Sequence, residues 1–297
     1  MEGQATLLES SPASTRNGLI QHQPHGARSP LFWLHPPAHI VHISEALGAR
    51  QPLFGIALTD AELEKLGPEP SIESIAALHA RTILDARPRG PLFVGGLCTG
   101  GIVAFETAAQ LQSAGRHVAL LVLLDSRNPA YSHRAGGILI EISKACFYLK
   151  RAIMQAQYEN QATLQQRFRR MISLHWQFGQ TEDDEIETIL GQHKTDAAAY
   201  RYKPPRYTGD VLLIQPKDRP ASVDHAVGWR AVATGKLITQ EIACHHDQLL
   251  DPENAAALAS VIVSHLDQAA FGRMERQVDR IANLKLLRSA QLSSLPC

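Results

Sequence analysis

Little in this chain points to a structure held together by anything but a buried apolar core. Its four cysteines, Cys98, Cys146, Cys244 and Cys297, fall without CxxC spacing, so neither a disulfide framework nor a zinc site is signalled and the thiols read as reduced. Excess charge is absent as well. Lys+Arg and Asp+Glu both number 29 in 297 residues, which leaves no footprint for nucleic acid and no acidic tail. Long apolar runs are also missing: the longest, Val118 to Leu124, falls far short of the roughly 20 residues a membrane helix needs. The opening residues, Met1 to Ser10, carry neither a basic nor an apolar leader region, so the expectation is a cytoplasmic protein without a membrane partner. His35, His39 and His42 resemble ligands at helical spacing. However, Pro36 and Pro37 lie between them and no acidic or cysteine ligand adjoins, so no metal is expected.

The remaining signal is 44% apolar content, enough to bury a large core. Residues 1–28 are polar and without a core period, and read as a tail or linker. From Ser29, short apolar runs begin: Leu31 to Leu34, Leu53 to Ile56, Leu92 to Val94, Ala119 to Leu124 and Val211 to Ile214. Helix-like stretches such as Ile72 to Leu84 separate them. Buried strands alternating with helices predict a mostly parallel sheet covered on both faces, an α/β fold. The alternation lapses over residues 127–205, where two helix-like stretches read as a lid inserted over the strand ends. Ile138, Ile142, Phe147 and Leu149 are its candidates for lining an apolar pocket. The main domain is placed at residues 29–266. Residues 267–297 read as an amphipathic helix that docks on this domain, on a carrier protein or on a second subunit.

The chemistry gathers at Gly96-Leu97-Cys98-Thr99-Gly100, between the apolar run ending at Gly95 and the helix-like run from Ile102. A Gly-x-nucleophile-x-Gly pentapeptide between strand and helix is the nucleophile elbow, a turn too tight for side chains two residues to either side. Its central residue is held out at the sheet edge. Here that residue is a cysteine, so the covalent intermediate would be a thioester. A cysteine nucleophile needs a base, and the base needs an acid to orient it and stabilise its charge. Chain order in α/β hydrolases is nucleophile, acid, histidine. Asp125 closes the strand before it and is preferred as the acid, with Asp218 after a later strand as the alternative. His246 is preferred as the base over its neighbour His245.

With these residues in place, the chain resembles the thioesterase domains that end nonribosomal peptide and polyketide synthases. The resemblance runs from about Leu19 to Leu266. It rests on Ser29 to Pro36, the elbow with Ala104-Phe105-Glu106, Leu123-Leu124-Asp125-Ser126, Tyr202 to Asp210, Gly228-Trp229-Arg230, and His246 with Leu250 four residues on. It implies an α/β-hydrolase fold with Asp125 and His246 as the matching acid and base, and it makes Glu106 and Trp229 structural. An oxyanion hole needs two backbone N–H donors. One should come from Thr99. The other normally comes from the loop after the first apolar strand, where Pro36 and Pro37 cannot donate and Ala38 is left. The family's usual glycines in that loop are replaced here by Ala38-His39-Ile40-Val41-His42.

The resulting expectation is a cysteine-dependent thioesterase or acyltransferase. It would take an acyl or peptidyl chain from the phosphopantetheine thioester of a carrier protein and pass it to a small-molecule acceptor or to water. No cofactor of its own is expected. The alternatives are a free-standing editing hydrolase, a cysteine-type hydrolase of lactones or polyesters, and a degenerate hydrolase serving as a binding module.

Overall fold

The computed structural model describes residues 18–35, 40–130, 194–219 and 224–293, with the side chains described as far as residue 272. Seven strands form one sheet: β1 (Leu19–Gln23), β2 (Leu31–Leu34), β3 (Leu53–Ile56), β4 (Leu92–Leu97), β5 (Val118–Leu124), β6 (Val211–Asp218) and β7 (Leu237–His245). Their order is β1-β3-β2-β4-β5-β6-β7, antiparallel only between β1 and β3. The described helices are α1 (Ile40–Leu47), α2 (Asp60–Leu66), α3 (Ile72–Ala86), α4 (Thr99–Ser113), α5 (194–201), α6 (His225–Arg230) and α7 (Pro252–Ser293).

Strand β5 shows why the sheet is double-faced. All its residues are buried, and because side chains alternate, Leu121 and Leu123 join one core while Leu120, Val122 and Leu124 join the other. The first core lies under α3, α4 and α6, and the second under α1 and α7. Helix α3 starts at a capping box formed by Ser71 and Ser74 and buries Ile72, Ile75, Ala76, His79, Ala80 and Ile83 along one face. Each fully buried large apolar side chain contributes roughly 1.5–3 kcal/mol. Trp229, completely buried, stacks on Phe105 with ring centroids 4.5 Å apart and so ties α6 to α4.

One expectation changes. Residues 1–28 were expected to hold no core element, yet Leu19–Gln23 pairs with β3 as the edge strand β1. Edge pairing uses the backbone and buries one face only partly, so a polar sequence such as Leu-Ile-Gln-His-Gln suffices and gives no apolar run to detect. Helix α7 runs unbroken across residues 266–267 into the stretch expected to be helical. Asp267-Gln268-Ala269-Ala270 offers no helix breaker there. Residues Pro252–Gly272 of α7 are long and apolar enough to cross a membrane by composition. Their Leu258, Ala259, Ile262 and Leu266 are instead buried in the second core. Of the expected lid, residues 131–193, with Ile138, Ile142, Phe147 and Leu149, lie outside the described residues, as does Ala38.

Candidate active site

Strand order β2-β4-β5 reverses the direction of winding at β2, and the carboxyl ends on either side of such a reversal frame a crevice. Three non-glycine residues with positive φ among the described residues sit at those ends: His35 (50°) after β2, Cys98 (52°) after β4 and Asp125 (44°) after β5. Side chains rarely adopt this conformation, and such strain gathers where function requires it. The ladder carries each residue into position. The Cys98 amide donates to Leu124 O at 2.9 Å and the Asp125 amide to Ile214 O at 2.7 Å, so both stand one step past their strands, side by side.

The elbow leaves no room for larger residues. A Cβ on Gly96 would overlap the Gly100 carbonyl, and one on Gly100 would come within 2.7 Å of Leu34 O. Cys98 is exposed at the head of α4, in the N-cap position but with no capping bond from its side chain. Burial of the surrounding site pushes its thiol pKa up; the Thr99 amide pulls the other way, and the charges of Asp125 and Asp196 push it further up. Thr99 begins α4, so its N–H is one of the amides with no partner inside the helix. The Thr99 hydroxyl donates to Asp196 Oδ1 at 2.6 Å, which fastens α5 to the elbow.

Asp125 and His246 meet: His246 Nδ1 lies 2.5 Å from Asp125 Oδ2, with His246 in the 3-10 turn that follows β7. The hydrogen bond to Asp125 raises the His246 pKa above 6.5 against the effect of its own burial. Burial alone would raise the Asp125 carboxyl, but contacts from His225 and His246 overcome it and hold the group well below the usual carboxylate range. The hydrogen bond of His246 goes to Asp125, and none joins it to Cys98. Catalytic bonds are often made only once substrate is bound.

The other candidates point elsewhere. His245 is buried and caps its own turn, accepting from the Asp247 amide at 3.3 Å. Asp218 is exposed at the end of β6, in register with His245. Glu106 is buried and accepts from the Tyr202 hydroxyl at 2.6 Å.

Four further residues at the site escaped the sequence reading: His79, Asp196, Gln215 and His225. His35 Nε2 and His79 Nε2 lie 3.0 Å apart, and burial lowers the pKa of His35 to about 4 and that of His79 well below 6.5. His225 Nε2 lies 3.0 Å from Asp125 Oδ1. Asp224 ahead of an apolar helical run ending in Trp229 is a legible helix start, and its place after β6 puts it on the sheet edge that carries Cys98 and Asp125. His79 and Asp196 had no such signal, since each lies on a helix whose docking angle the local sequence does not specify.

The thioesterase domain family model matches residues 29–266. A dimodular nonribosomal peptide synthase of Bacillus subtilis is 24% identical over 283 residues, covering 90% of this chain and 12% of that one. The non-reducing polyketide synthase curS2 of Aspergillus terreus is 32% identical over 136 residues, 44% of this chain and 6% of that one. The chain thus spans only a small part of the curated relatives it matches, 12% of the length or less in these two. Among solved structures, the NocB thioesterase domain in covalent complex with a fluorophosphonate nocardicin G analog aligns with TM-score 0.61 at 20% identity, covering 84% of this chain and 99% of that one. BorB, a type II thioesterase from the borrelidin cluster, aligns with TM-score 0.57 at 21% identity, covering 86% and 98%. The seven-stranded, mostly parallel sheet is the α/β-hydrolase fold of these neighbours. With residues 29–266 matched and that fold beneath them, the chain belongs to the thioesterase domain family.

Proposed function

We propose that this chain releases acyl or peptidyl chains from a carrier protein through a covalent thioester on Cys98, with His246 as base and then acid and Asp125 orienting it. The observation that carries the reading is Cys98 at the head of α4 with positive φ, on the same sheet edge as the Asp125–His246 pair. The family and its synthase relatives support a substrate held as a phosphopantetheine thioester.

The electrostatics favour proton transfer during attack over a resting ion pair. A thiolate–imidazolium pair needs the thiol to be the stronger acid, yet the Cys98 thiol is pushed up from an already higher pKa. His246 Nε2 therefore takes the proton as sulfur attacks the carbonyl carbon. The Thr99 N–H faces the developing oxyanion, and Ala38 is the proposed second donor. Collapse breaks the bond to the phosphopantetheine sulfur, which leaves with the proton held by His246. One thioester replaces another, so acyl-Cys98 stays activated. His246 then takes a proton from an amine, a hydroxyl or water as it attacks, and returns it to Cys98.

Replacing Cys98 tests this. Cys98→Ala should abolish release from an N-acetylcysteamine thioester, with circular dichroism and melting temperature near wild type because the lost side chain is exposed. Wild-type turnover in this variant would make Cys98 a bystander.

A further inference from the structure

Asp125 is gripped on both sides. Its Oδ2 serves His246, while its Oδ1 is buried and makes no well-aligned hydrogen bond. His225 Nε2 stands 3.0 Å from that oxygen, within hydrogen-bond distance. Both side chains are nearly buried, at 12% and 10% exposure, so the contact is shielded from water.

The fold fixes His225 from both neighbouring segments. Its amide donates to the buried Gln215 Oε1 on β6 at 3.0 Å, and Asp224 Oδ1 accepts from the Ala226 amide at 2.9 Å. The residues just after Asp125 hold the same short helix: Ser126 O accepts from Trp229 Nε1 at 2.8 Å, and Asn128 Nδ2 donates to Gly228 O at 2.8 Å. A carboxylate touched only by His246 can swing about its last bond. One held at both oxygens cannot, and its alignment selects the His246 tautomer with Nδ1–H toward Asp125 and Nε2 free to accept a proton.

We propose that His225 is a positioning residue for the reaction: its Nε2–H holds the second oxygen of Asp125 and thereby fixes the carboxylate that orients His246. The inference rests on the Cys98–His246–Asp125 reading above. Groups whose titration bears on this contact are Asp224 beside His225, His246 and Asp247 on the turn after β7, Cys244 at the end of β7, and Cys98. Removing the His225 donor leaves more of the carboxylate charge acting on His246, whose pKa should rise.

The test compares His225→Phe, which keeps a ring without a donor, with His225→Gln, which places an amide N–H near the same point. In His225→Phe, kcat for an N-acetylcysteamine thioester should fall about tenfold to a hundredfold at nearly constant KM. The acid limb of kcat/KM should move to higher pH, and the NMR titration of His246 should move with it. His225→Gln should recover most of both. Wild-type kinetics and titration in His225→Phe would overturn the proposal. Equal loss in both variants with an unmoved His246 titration would also overturn it, by reducing His225 to packing. Asp125→Asn measured alongside separates the two readings. If it is severely impaired while His225→Phe is normal, only this inference fails; if it is fully active, the triad reading itself fails.

Discussion

Two histidine contacts flank the same crevice and are tuned in opposite directions. At the end of β2, His35 faces His79, and burial pushes both pKa values down, so the pair is neutral at pH 7 with one ring donating to the other. At the ends of β5 and β7, His246 faces Asp125 and its pKa is pushed up. The residue type is the same on both sides. The partner decides: a carboxylate favours the charged imidazole, whereas a second imidazole offers a buried ring no countercharge. Only the side with the countercharge suits proton transfer, and the other joins the end of β2 to α3.

The comparison breaks most sharply at Asp125. Asp125→Asn keeps the shape but removes the charge that sets the His246 tautomer, and turnover should fall by roughly a thousandfold to ten-thousandfold, the scale known for the serine-protease triad. Asp218→Asn, exposed at the end of β6, should change turnover less than about threefold. The reverse ranking would move the acid to Asp218.

The neutral pair makes a claim about stability. Because the folded pKa values of His35 and His79 lie below 6.5, their contribution is fully present above pH 6.5 and is lost on acidification, that of His35 as pH falls through about 4 and that of His79 as pH falls through its own strongly lowered value. His246 has the opposite sign: its contribution is present below pH 6.5 and fades as pH rises through its raised value. Between pH 6.5 and 4.5 a neutral His35 can cost up to about 1.4 kcal/mol per pH unit, and His79 acts in the same direction. Urea denaturation over this range should show the wild type losing stability on acidification. His79→Gln, which removes one titrating ring and keeps a polar partner for His35, should show a shallower slope. An unchanged slope would mean that the pair is not what makes the fold acid-sensitive.

The smallest effect should come from Thr99. Its hydroxyl bond to Asp196 is exposed, and the proposed oxyanion donor is its backbone N–H, so Thr99→Val should lower kcat less than about threefold and cost under about 1 kcal/mol of stability. A hundredfold loss would make the Thr99 side chain part of the chemistry.

How much of this could be read from sequence follows from what is local. The elbow was legible because its glycines answer a steric demand within five residues, and Asp125 because an acid directly after an apolar strand stands at the sheet edge. β1 was not, since an edge strand needs only backbone pairing. Nor was the His35–His79 contact, which depends on how α3 docks against β2 across 44 residues of chain. His225 lies between: Asp224 is a residue type that starts helices, but the reach of His225 to Asp125 depends on Trp229 finding the Ser126 carbonyl 103 residues away.

The central claim is that a thioester forms on Cys98. Intact-protein and peptide mass spectrometry after brief exposure to an N-acetylcysteamine thioester tests it most directly. The account predicts one acyl adduct per chain, on the peptide containing Cys98, cleared by added amine or alkaline buffer and absent from Cys98→Ala. Turnover with no adduct on Cys98, or the same adduct on Cys98→Ala, would contradict it.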